Sequence, residues 1–157
     1  MNVSMVQPTV DANALLAGAQ FIDAFSIIVD DNSLDARRAA ERVFGRSPRW
    51  VQMLLTMRDT IVAPFGLTTT KSARQADIDK VGMFPVISET PERIVAGFDD
   101  KHLDFRALVD VAAVPGGTRV TATTVVLTHN LLGRVYLAVI TPFHRIVVRA
   151  MLRQAAG

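Results

Sequence analysis

The feature that most restricts this chain is a change of hydrophobic period. From Ser33 to Gly66 the apolar residues recur at helical spacing. Between Lys80 and Asn130 they alternate, and after Asn130 the helical spacing returns. A chain in that order is expected to build a meander of strands closed by a C-terminal helix. "HLDFRALVDVAAV" shows the strand signal best. Leu103, Phe105, Ala107, Val109 and Val111 share one face, while His102, Asp104, Arg106 and Asp110 share the other. The first face calls for a helical cover and the second for water.

"VGMFPVISE", "ERIVAGFDD", "HLDFRALVDVAAV" and "TRVTATTVVLTHN" are separated by turn chemistry at Thr90-Pro91, Asp99-Asp100-Lys101 and Pro115-Gly116-Gly117, which makes neighbours antiparallel. Upstream, "FIDAFSIIVD" (Phe21 to Asp30) reads as the first strand. Two short helices are expected after it. One has Ser33 as cap, Asp35 in its first turn and Gly45 just past its end. The other has Ser47 as cap, Pro48 in the first turn, and Pro64 and Gly66 as its stop. "LTTTKSARQADIDK" has neither period nor apolar content and reads as a loop. The last helix starts near Leu132, with Asn130 as its cap and Gly133 allowing a close approach or a bend. Leu137, Ile140, Val147 and Met151 form an apolar row to be buried on the sheet, while Arg134, Thr141, Arg145 and Arg149 lie together elsewhere. The expected organisation is one α+β domain over residues 1–157, with about five strands and an N-terminal segment, 1–18, that can be partly flexible.

Composition removes several function classes. A net charge of +2 with scattered arginines and few aromatics argues against a nucleic-acid partner. No cysteine means no thiol nucleophile, disulfide or thiolate metal site. The three histidines lack ligand spacing, and Ser72 and Ser88 stand in no nucleophile elbow, so neither a metal nor a serine triad is expected. No secretory signal is read at the N-terminus. Leu131 to Leu152 is interrupted by Arg134, His144, Arg145 and Arg149, and no membrane span is expected. The expected location is the cytoplasm.

Three stretches carry a family resemblance. "RWVQMLLTMRDTIVAPFGL", "GFDDKHLDFRALV" and "TTVVLTHNLLGRVYLAVITPFHRIVV" resemble, in that order, a bacterial domain-of-unknown-function family, number 2867, placed among the START-like, polyketide-cyclase-like (SRPBCC) proteins. The resemblance implies a helix-grip fold, in which a curved antiparallel sheet wraps around the last helix. It also implies the superfamily's habit of holding an apolar ligand between the two. It implies no catalytic residue. Some relatives are fused to reductase-like domains, but this chain carries no G-x-G-x-x-G segment, and no cofactor is expected.

His144, set between Ile140 and Val147, is expected to face the sheet, either as a neutral core histidine bonded to a carbonyl or as a polar contact in a cavity. Phe84, Phe98, Phe105, Tyr136, Ile140 and Phe143 are the expected cavity walls, with Arg134 and His129 near its mouth. His102, Asp104 and Arg106 are read first as cross-strand partners on a solvated face. Arg58 is expected to pair with Asp100 or Asp104. The leading functional expectation is binding of an apolar or amphipathic small molecule. The alternatives are a cyclase- or hydratase-like enzyme with His144 or His129 as acid–base, and an interaction module with a filled core that pairs with itself as a homodimer or with a reductase-like partner.

Overall fold

The computed structural model describes residues 3–45, 49, 53, 80, 81, 84–99 and 102–156. Within them the chain is an α+β protein. It runs β1 (Ser4–Val6), α1 (Ala12–Leu15), β2 (Phe21–Val29), α2 (Ala36–Phe44), β3 (Lys80–Val81), β4 (Phe84–Glu89), β5 (Arg93–Asp99), β6 (Leu103–Val114), β7 (Gly117–Thr128) and α3 (Leu131–Arg153), with a 3-10 turn at Gln154–Ala156. Among the described residues one antiparallel sheet has the order β1-β2-β7-β6-β5-β4-β3. Six of its strands are longer than two residues, one more than the alternation suggests. The addition is β1, a three-residue edge strand too short to show a period.

The sheet is a meander from β3 to β7, and β2 then pairs with β7 from Phe21↔Val126 to Val29↔Thr118. Its helix-side face carries the main core, including Phe25, Ile27, Val29, Ile94, Val109 and Val120, with α2 packed on it through Ala36, Ala39, Ala40 and Val43. Those four positions are one stripe of a 3.6-residue helix. Asp35, not Ser33, caps α2: its carboxylate accepts from Arg38 N at 2.8 Å. Ser33 lies two residues earlier, where its N–H and hydroxyl both donate to Asp31 Oδ1. Asp and Ser are equally good caps, so local chemistry alone does not choose between them.

The outer face is drier than its alternation implies. Leu108 is fully buried there, with Leu16, Val95 and Val125, under Val10, Ala12, Leu15 and Ala19. The N-terminal segment thus lies across part of the outer face. Of the expected second short helix (Ser47 to Pro64) only Arg49 and Met53 are described, both helical, and of the expected loop 67–80 only Lys80, which opens β3. Arg58 and Asp100, one of its two expected partners, fall outside the described residues.

α3 begins where expected. Asn130 Oδ1 accepts from Gly133 N at 2.9 Å, and the same side chain's amide donates to His102 Nδ1 at 2.9 Å. The far end is fixed by Met151, Leu152 and Ala155 in the core. Between Gly133 and Met151 no residue of the helix is buried. Its outward face carries Leu131, Val135, Val139, Phe143 and Ile146, each 47 to 74% exposed. By length and composition, Leu131–Ala156 is apolar enough to cross a membrane, with a mean hydropathy of 1.4 in its best window. Gly133 against the His102 carbonyl, and Met151, Leu152 and Ala155 in the core, seat both ends of the helix on the sheet.

Candidate functional site

β2 passes beneath the middle of α3, and its helix-side residues are Phe21, Asp23, Phe25 and Ile27. Asp23 is therefore a carboxylate in an apolar row, only 2% exposed. His144 reaches down to it, with Nε2 at 3.2 Å from Asp23 Oδ1. A carboxylate accepts and does not donate, so Nε2 carries the proton and Nδ1 is left as the ring's other nitrogen. Phe21 meets the same imidazole edge to face, with centroids 5.8 Å apart. Asp23 Oδ2 has no hydrogen-bond partner among the described residues, and neither has Thr128 Oγ1 on the same face of β7. A buried carboxylate oxygen left unpaired is costly, and native proteins seldom tolerate one without a use.

Register explains the shape around this pair. Asp23 stands opposite Thr124, Thr124 opposite Ala107, and Ala107 opposite Ala96. These small side chains form one row across four strands, about 14 Å long at the usual strand spacing, ending in the carboxylate. The row on one side is Phe98, Phe105, Val126 and Phe21, and on the other Ile94, Val109, Ala122 and Phe25. The helix-side face thus has a track of small side chains between two rows that are larger except at Ala122.

Phe84, Phe98 and Phe105 come together, with centroids 5.3 to 6.3 Å apart, and Phe44 joins Phe84. All are partly exposed, so they form a wall and not a sealed core. Ile140 and Tyr136 are half-buried on α3. Phe143 is not a wall residue: it is 47% exposed. Adjacent helical positions differ by about 100°, so the turn that aims His144 at the sheet aims Phe143 away. Arg134 is exposed.

The other two histidines belong elsewhere. His129 Nε2 lies 2.9 Å from Asp104 Oδ1 in a partly exposed pair. His102 is buried against Asn130 as part of the helix cap. Arg106 turns to Asp99 at 2.8 Å and to the Phe105 carbonyl at 2.9 Å. His102, Asp104 and Arg106 therefore serve three separate partnerships, not one site.

Asp23 is the member the periodicity did not single out. Its signal is present in "FIDAFSIIV": one charge at an inward position between Phe21 and Phe25. The outer face holds an open groove of about 900 Å³ lined by Ser4, Ser26, Thr121, Asp110, Arg93 and Arg119, among others. It lies across the sheet from His144, and its floor is a polar register row running from Ser4 to Arg93.

The architecture is that of an α+β protein whose antiparallel sheet carries a long C-terminal helix over a buried Asp–His pair. The family model described as "Protein of unknown function (DUF2867)" matches residues 15–151, and the chain belongs to that family. None of the curated proteins matches it. The matched span takes in β2, the whole meander and α3 as far as Met151, so both Asp23 and His144 lie inside it.

Proposed function

We propose that this chain is a helix-grip, START-like protein that holds an apolar or amphipathic small molecule between its sheet and α3. The observation that carries this reading is the row of small side chains Ala96, Ala107 and Thr124, set between rows that are larger except at Ala122 and running towards the phenylalanine wall. Solid cores alternate large and small side chains to interdigitate, whereas this row is small along its whole length. Recognition would be mostly apolar, with the polar groups concentrated at Asp23 and His144. Native mass spectrometry of the purified chain tests it: a bound apolar compound is expected, and Ala107→Leu, which fills the track, should lose it. A protein that stays ligand-free and takes up no amphiphile would sink the reading.

A second reading rests on a different feature, the outward stripe of α3. From Leu131 to Gly157 the chain has Arg134, Arg145, Arg149 and Arg153 and no carboxylate side chain. An exposed apolar stripe with only positive charge beside it suits the surface of an anionic bilayer, with the helix lying in the interface. A second copy would set arginines against arginines. Flotation should show the chain on phosphatidylglycerol vesicles and not on phosphatidylcholine ones, with Val139→Glu abolishing the binding. Equal recovery on both lipids, or on neither, would remove this reading.

A further inference from the structure

We propose that the Asp23–His144 pair selects ligands whose polar end is a hydrogen-bond donor, an amine N–H or an alcohol O–H. This rests on the small-molecule reading above and adds what it leaves open, the chemistry of the ligand's head. Three observations lead there.

The first is the inventory of the pair. Oδ1 is taken by His144 Nε2, and Oδ2, on a residue 2% exposed, has no partner among the described residues. An ionised carboxylate can only accept, so the open position at this end of the track is an acceptor. A ligand carboxylate or phosphate brought there would meet like charge in a dry place, whereas an N–H or O–H donor would complete the site.

The second is direction. The track of small side chains ends at Asp23, so a chain laid along Ala96, Ala107 and Thr124 delivers its head to the unpaired oxygen. The aromatic wall of Phe84, Phe98 and Phe105 lies beside the far end, where an apolar tail belongs.

The third is access. α3 is pinned at Gly133 and again at Met151, with no buried residue between them. Pro142 lies inside that span and withholds one helical N–H from the turn before it. Between those pins the helix is held by the His144–Asp23 bond and by half-buried side chains, so a local lift that breaks this bond uncovers the carboxylate without undoing either end.

The test compares four decyl compounds by calorimetric titration of the intact chain: decylamine, decanol, decyltrimethylammonium and decanoate. Decylamine and decanol should each bind about ten-fold or more tighter than the other two, which lack a donor, since a hydrogen bond to a charged group is worth at least that factor. Within the donor pair, a tighter amine points to a cationic head and equal affinities to a hydroxyl. Either ranking supports the inference. Asp23→Val should bind all four alike. If all four bind the wild type equally, or decanoate binds best, the donor preference is wrong while the apolar site stands. If none binds, the small-molecule reading fails and this one with it. The wild-type ranking decides even if Asp23→Val does not fold.

Discussion

A methyl group on Gly133 would lie 2.2 Å from the carbonyl oxygen of His102, so the first turn of α3 rests directly on the backbone that leads into β6. Gly133→Ala must then push the helix off the sheet. In an exposed helix the same change would stabilise by about 1 kcal/mol. Here a loss of about 1–3 kcal/mol is expected in urea denaturation, the cost of overpacking. Stability equal to wild type or better would show that the contact is not as close as described.

Asn130 holds two partners at once, Gly133 N and the His102 ring. Asn130→Ala should cost about 1–2 kcal/mol, at the upper end for a helix cap, because the buried imidazole of His102 loses its donor as well. Asn130→Ser restores the cap alone. Its stability by thermal denaturation should fall between the two.

Removing His144 leaves Asp23 buried with neither oxygen paired, so His144→Phe should cost about 3–5 kcal/mol. Asp23→Val alone leaves a half-buried ring and should cost less. The double variant is expected to be more stable than His144→Phe. A double-mutant cycle by chemical denaturation reads the coupling directly, and additive losses would mean the two side chains do not depend on each other.

Asp31 gives the pH dependence. Its carboxylate accepts from the Ser33 hydroxyl and N–H and from Arg42, which lowers its pKa from 3.8 to about 2. A lowered folded-state value contributes stability that is fully present above the ordinary carboxylate range and is lost as pH falls through 3.8 towards 2. Asp31→Asn should thus be less stable than wild type at pH 5, with the difference closing over that window. A carboxyl titration by NMR that puts Asp31 at its ordinary value would contradict this.

The meander, the covering helix and its cap were legible because each depends on local signals: alternation, turn residues, and Asn130 three residues before Gly133. Two kinds of feature were not. Asp23 sits in a strand whose apolar content hides one charge, and its partner is 121 residues away, a distance no window spans. The cover on Leu108 comes from Val10 to Ala19, whose short runs show no period of their own. His144 facing the sheet was legible from its place between Ile140 and Val147. Phe143, its neighbour, could not face the same way, and helical geometry alone would have said so.

The pairing of β2 with β7 has a consequence for how the protein is made. Phe21 finds Val126 only after about a hundred further residues have left the ribosome, and α3 emerges later still. Until then β2 has only the three residues of β1 as a strand partner, and its apolar row and Asp23 face the solvent. Such long-range pairing slows folding and leaves a strand edge open to other chains. Nascent chains that stop short of β7 should therefore be the aggregating species.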